Sequence, residues 1–266
     1  MVKGLYTAYT GMINEQRRLD TITNNLANAT TTGYKKEGAT AQSFDDTLAI
    51  KIKDTSSGLM PKRIGDINLG VDIGETYTDW SQGSFKLTDK PSDVAISGDG
   101  FFAIEYTDKQ GNTSIRYTRD GEFTVDKDGF LRTVDGDFVL NRNGALNSEM
   151  GENSYIQVNP LLDYTIDSQG NVFQDGQNIA QIGVVDFTDY NYLAKYGENL
   201  YVPVEGATVV ESNASLEQGC LEMANVNVVD ELVTMITIQR AYEAGQRMIT
   251  TEDSTLEMAV SQVGRV

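Results

Sequence analysis

The side chains that would carry chemistry are few in kind. The 266-residue chain has no histidine and one cysteine, Cys220. That excludes disulfides within the chain, zinc sites of the usual His/Cys type, Ser-His-Asp triads and Cys-His pairs. An enzyme built on this sequence would work with carboxylates, Lys, Tyr or Arg alone. "DKDG" at 126–129 resembles the start of a calcium loop. It lacks the third spaced oxygen ligand and the downstream bidentate Glu of an EF-hand, so a hairpin turn is expected. "SGDGFF" from residue 97 has neither G-x-G-x-x-G spacing nor a Walker lysine. It reads as a turn between "DVAI" and "FFAIEY". Arg119, in "YTRDGEF", stands beside a tight turn and is expected to make a structural contact within a sheet. Cys220 is expected to be a small apolar residue ahead of a helix. No catalytic group, cofactor or metal is expected.

Charge and hydropathy narrow the partners. The net charge is −18, which opposes phosphate backbones and anionic membrane surfaces. Neither nucleic-acid binding nor membrane insertion is expected, since no run of 18 apolar residues occurs. Apolar residues make up 39% of the chain, enough for a real core. "MVKGLYTAYTGMINEQRR" has no continuous apolar stretch and no small-residue cleavage site, so no secretory signal is expected.

The elements that must position these residues fall into three kinds. Near the N-terminus, Leu5, Met12, Leu19 and Leu26 recur every seven residues, with Ala8 and Ile22 three residues after Leu5 and Leu19. That is a seam on one helix face, about 39 Å long. Near the C-terminus, Val228, Met235, Tyr242, Ile249, Leu256 and Val263 repeat the same spacing, and Leu232, Ile238, Ala259 and Val260 widen the stripe. The middle is punctuated by Asp-Gly at 99/100, 120/121, 128/129, 135/136 and 175/176, between short runs of β-formers. The dipeptide predicts two-residue hairpin turns in which both residues take positive φ. "FTVDKDGFL" at 123 recurs weakly as "YTIDSQGNV" at 164, which suggests two related hairpins. Residues 38–78 are polar, with Ser56, Ser57, Gly58 and Pro61, and read as an extended arm.

The expected fold is therefore α+β. Residues 1–37 give an N-terminal helix, 38–78 an extended linking arm, 79–220 a central, mostly antiparallel β domain, and 221–266 a C-terminal helix. The terminal helices pair as a coiled-coil-like bundle. Segment 1–37 has five basic and three acidic residues, and 221–266 has three basic and seven acidic. Opposite charge suits antiparallel pairing, though exposed ion pairs each add little.

With these elements in place, "NNLANATTTGYK", "DVAISGDGFFAI", "YTRDGEFTVDKDGFL", "GENLY" and "ANVNVVDELVTMITIQRAYEAGQRMITTEDSTLE" resemble the flagellar basal-body rod and hook protein family, nearest to its FlgG and FlgF type. The likeness runs in the same order along nearly the whole chain. Hook proteins of the family are generally longer, so this length favours a rod protein. The resemblance implies an axial structural subunit of the basal body, outside the cytoplasm, self-assembling in a helical tube that transmits torque and encloses the export channel. It implies export by the flagellar type III apparatus, contacts with neighbouring rod and hook proteins, terminal helices in the inner tube, and no catalytic residues.

Two stripes exceed what two helices can cover, so the assembly interface is expected to include Leu5, Met12, Leu19, Leu26, Val228, Leu232, Met235, Tyr242, Ile249 and Leu256. Asn25 and Asn28 are expected to join it as a polar layer that sets register between subunits. Gly33 is expected to take the positive φ of the turn that follows. The rival readings are a surface β-type module that binds glycan or protein and oligomerises through its helices, and a His-free lyase or carboxylate hydrolase. Exposed aromatic clusters would mark the first, and a deep pocket with Tyr, Arg and paired carboxylates the second.

Overall fold

A computed structural model of the chain describes residues 2–51, 62–147, 150–197 and 199–263. In chain order the elements are α1 (Val2–Ala27), β1 (Glu37–Ser43), β2 (Thr47–Lys51), β3 (Lys62–Ile67), β4 (Val71–Thr78), β5 (Phe85–Leu87), β6 (Val94–Ser97) and β7 (Phe101–Thr107). Next come β8 (Thr113–Thr118), β9 (Phe123–Val125), β10 (Leu131–Thr133), β11 (Phe138–Val139), α2 (Arg142–Asn147), β12 (Tyr164–Ile166), β13 (Asn171–Gln174), β14 (Gln177–Gln181) and β15 (Val184–Phe187). The chain then runs through β16 (Leu193–Gly197), β17 (Leu200–Pro203), β18 (Val209–Glu211), β19 (Ser215–Gln218), β20 (Cys220–Glu222) and α3 (Val228–Met258). It divides into two compact units. The first holds Met1–Ala27, Lys36–Asp79 and Asn227–Val266, and the second Asn28–Lys35 and Trp80–Val226.

In the first unit α1 packs on α3. Two glycines mark the close approaches: a Cβ on Gly245 would lie 2.6 Å from Cγ of Met12, and one on Gly4 would lie 2.8 Å from Oε1 of Glu252. Early residues of α1 thus meet late residues of α3, so the pair is antiparallel. Residues of the expected arm form an antiparallel ribbon, with β1 on β4 and β2 on β3. Ser56, Ser57, Gly58 and Pro61 lie outside the described residues.

Among the described residues of the second unit every strand pairing is antiparallel. The largest sheet runs β16-β17-β8-β7-β11-β10-β9, and β15 joins both β7 and β18. The run "FFAIEY" becomes its central strand because both faces of β7 are covered. Phe102 packs with Val94, Ile96 and Phe123, while Phe101 and Ala103 pack with Tyr117, Val185 and Tyr201. Period-2 side chains on a strand with two dry faces read as one continuous apolar run. Trp80, the sole tryptophan, lies with its ring centre 5.5 Å from Phe101 and 5.0 Å from Tyr201.

The turn chemistry corrects the sequence expectation. Only Asp175-Gly176 has positive φ at both residues, 52° and 75°, between paired Gln174 and Gln177. At 126–129 and 133–136 the glycine alone is left-handed, and it donates to the carbonyl three residues earlier, Gly129 N to Asp126 O and Gly136 N to Thr133 O. The glycine at 170 does the same with Asp167. A type I turn closed by a left-handed glycine needs only one residue without a Cβ, so the aspartate keeps ordinary φ. The repeat between 123 and 164 is a repeat of this turn: Asp126 N bonds Phe130 O as Asp167 N bonds Asn171 O. Gly121 escapes positive φ and serves packing instead, bonding Val94 N through its carbonyl at 3.0 Å.

Candidate assembly surface

The surface builds from how α3 begins. Asn227 caps it, its side chain accepting from Val229 N at 3.1 Å, and Asp230 and Glu231 occupy the first turn. An oxygen cap and early carboxylates suit the orphan N–H groups of a helix start. In α3 and its C-cap Ala259 the least exposed positions are Glu231, Met235, Ile238, Gly245, Ile249, Glu252, Leu256 and Ala259. Steps of three and four, with one of seven from Ile238 to Gly245, keep them on one stripe, and it faces α1. Among the described residues of this unit, only two apolar side chains, Ile22 and Ile238, are fully buried.

The residues singled out in the sequence fall into three groups. Leu5, Met12, Leu19, Leu26, Met235, Ile249 and Leu256 are half-buried. Val228, Leu232 and Tyr242 are exposed, at 42%, 42% and 36%. Asn25 is fully buried and Asn28 half-buried. The heptad spacing did not single out Val229, Val233 and Ile236, nor Tyr6 and Tyr9 of α1, all exposed. Their signal was in the sequence: from Val228 to Ile238 apolar residues surround the helix. A helix apolar all round is one whose whole circumference is destined for cover.

Polar contacts fix the foot of the pair. The Asn25 amide donates to Glu37 O at 2.8 Å and accepts from Glu37 N at 2.9 Å, so the last turn of α1 holds the start of β1. Lys36 reaches Glu231 at 2.5 Å, with the carboxylate buried. Arg17 pairs with Asp72 of β4 at 2.7 Å, an exposed contact worth little by itself.

A second cluster lies within the β unit. Glu222 of β20, Lys35 and Arg119 are all buried. Lys35 Nζ lies 2.7 Å from Oε1 of Glu222 and 2.9 Å from Ser81 O, and Arg119 Nη1 lies 3.3 Å from Oε2. Gly83 N also donates to Oε1, at 2.9 Å. Gly33 has φ of 66° and donates to Glu222 O at 2.8 Å. A Cβ there would stand 2.5 Å from Asp120 N, so the position admits only glycine for both reasons. Arg119 thus contacts a strand outside its own sheet, and Cys220 is half-buried in β20 and not directly ahead of a helix.

Burial pushes the neighbouring Asp120 carboxyl above its ordinary range, aided by the charges of Glu122 and Asp135 and opposed by hydrogen bonds from Glu122 N and Thr32. Burial raises the Tyr117 and Tyr164 hydroxyls, and burial with the adjacent Asp186 raises that of Tyr190. Among the described residues no three His, Cys, Asp or Glu side chains are grouped to hold a metal ion. No helix there is long and apolar enough to cross a membrane.

Comparison with known proteins bears on what this surface serves. Residues 5–35 match the family model for flagella basal body rod proteins, 95–174 that for the D1 domain of the flagellar hook protein FlgE/F/G, and 217–262 that for the C-terminal part of flagellar basal body rod FlgEFG proteins. The chain is 34% identical to the flagellar basal-body rod protein FlgG of Bacillus subtilis, over 98% of this chain and 99% of that one. The chain belongs to the flagellar basal-body rod protein family. It is also 32% identical to FlgG of Buchnera aphidicola, over 97% and 98% of the two chains, and 34% identical to the rod protein FlgF of Caulobacter vibrioides, over 100% and 98%. Rod proteins are structural and not an enzyme family. The two terminal matches take in α1 through Lys35 and β20 through α3, so they include both the helical stripe and the buried Lys35–Glu222 pair.

Proposed function

We propose that the chain is a structural subunit of the basal-body rod that polymerises through α1 and α3. Many copies pack these helices, in coiled-coil fashion, into the wall of a helical tube that transmits torque and encloses the export channel. The subunit reaches that place through the flagellar export apparatus, and meets other rod and hook proteins at the ends of its own segment. The observation that carries the reading is the exposed apolar belt of α3 from Val228 to Ile236. A single α1 covers one stripe of α3, and the rest stays open to copies of the same chain. Leu5, Met12, Leu19 and Leu26, with Met235, Ile249 and Leu256, form the seam within a subunit and its edge toward the next. Val228, Leu232 and Tyr242 face outward, and Asn25 and Asn28 hold the foot of α1 in the register the contact needs.

Leu232→Asp and Tyr242→Asp test it. Both side chains are exposed in one chain, so each variant should keep the helical circular dichroism of the monomer. In the polymer the same carboxylate would be enclosed, at a cost of several kcal/mol. Sedimentation should then find no polymer, and cells carrying either change should lack motility. Normal polymer from both variants would refute this interface.

A further inference from the structure

We propose that Glu222 is the centre of a load-bearing clamp that ties together the segments through which the chain enters and leaves the β unit. That unit takes in Asn28–Lys35 and Trp80–Val226. Its chain ends are therefore Asn28, Lys35, Trp80 and Val226. Glu222 holds three of these four ends within a few residues of itself. Its carboxylate takes Lys35 Nζ at 2.7 Å and Gly83 N at 2.9 Å, and its carbonyl takes Gly33 N at 2.8 Å. Lys35 also bonds Ser81 O at 2.9 Å, Met223 N bonds Ser84 O at 2.9 Å, and the Asn225 amide bonds Ser81 O at 3.1 Å. Segments 33–35, 81–84 and 222–225 are thus cross-linked by directed polar bonds.

The physical case is one of direction. Apolar packing resists separation over a broad, shallow range, whereas a charged hydrogen bond in a dry site fails only when its partners part. Lys35, Glu222 and Arg119 are each almost wholly buried, so opening the pair strands a charge in low dielectric. Tension applied between Asn28 and Val226 meets the Lys35–Glu222 and Gly33–Glu222 bonds before it reaches the core. These residues are 187 positions apart in sequence, so the bond shortens the loaded path to a few residues. The use of such a clamp, keeping the β unit shut while torque passes, rests on the rod reading; the clamp itself does not.

The test is tether spectroscopy of the full chain, held by tags at its two termini. Once the terminal helices release, the β unit is loaded at Asn28 and Val226. Glu222→Gln keeps an acceptor for Gly83 N but removes the charge. Val172→Ala, in the core away from the clamp, is the control for thermal stability. After correction for their thermal shifts, the lifetime of the β unit at fixed force should fall at least tenfold more in Glu222→Gln than in Val172→Ala. Should Glu222→Gln not fold, Lys35→Met leaves the Glu222–Arg119 pair balanced and should show the same excess. Equal shortening in the clamp and core variants would overturn the proposal. Failure of the rod reading would appear in the polymer assay of Leu232→Asp and would leave these lifetimes untouched.

Discussion

Asn25→Ala should melt the helical unit of the monomer while leaving the β unit folded. The side chain is fully buried, and its amide closes two bonds with the backbone of one residue, donating to Glu37 O and accepting from Glu37 N. Alanine leaves both groups of Glu37 without the amide. An orphaned buried donor or acceptor costs about 1–3 kcal/mol. Glu37 is only half-buried, so water recovers part, and the low end of that range, about 1–1.5 kcal/mol for each group, gives about 2–3 kcal/mol for the pair. This is comparable to burying one large apolar side chain, about 1.5–3 kcal/mol, and among the described residues of the unit Ile22 and Ile238 are the only buried apolar side chains. The ratio of folded to unfolded helical unit should fall about 30- to 150-fold. Two probes separate the units. Ellipticity at the helix band reports α1 and α3, with 26 and 31 residues, and fluorescence reports Trp80 in the β unit. The helical transition should move to lower temperature and the Trp80 transition should stay. Asn25→Asp should do no better, because it sets an anion against Glu37 O. An unchanged helical transition in Asn25→Ala would show that the Glu37 bonds contribute nothing, and the reasoning would fail.

Three further outcomes follow from single positions. Gly33→Ala should destabilise the β unit by about 1–3 kcal/mol from its positive φ alone, with more from the contact at Asp120 N, and the Trp80 transition reads it. Asp120 has its carboxyl raised by burial, so the folded state holds that proton to higher pH than the unfolded one. Stability contributed by this group therefore falls as pH rises from the ordinary carboxylate range through the raised value. Asp120→Asn keeps an acceptor for Glu122 N (3.0 Å) and should raise the Trp80 melting temperature at pH 7 more than at about pH 4.5. A larger gain at the lower pH would contradict this sign. Gly176→Val should disrupt the β13–β14 hairpin by about 1–3 kcal/mol, because a β-branched residue is strained at φ of 75°; hydrogen exchange at Gln174 and Gln177 would measure it.

The sequence alone determined the helices, their faces and the β character of the middle, because these depend on local period. Seven-residue spacing at Leu5, Met12, Leu19 and Leu26 is a property of one segment, and so is the apolar run of β7. Gly33 announced its positive φ for the same reason. Family membership was legible too, since the end motifs are contiguous. Tertiary structure decided what depends on distant partners. The Asp-Gly pairs look alike in sequence, yet only 175/176 became a two-residue turn, because the register of the flanking strands sets the loop length. Asn24, Asn25 and Asn28 are equivalent as letters. Asn25 meets the backbone N–H and C=O of Glu37, a choice made by where β1 returns to α1. Lys35 and Glu222 stand 187 residues apart in unremarkable charged surroundings, and nothing local marks either as buried. A charge is buried only where its counter-charge arrives, and that arrival is a fact of the closed fold.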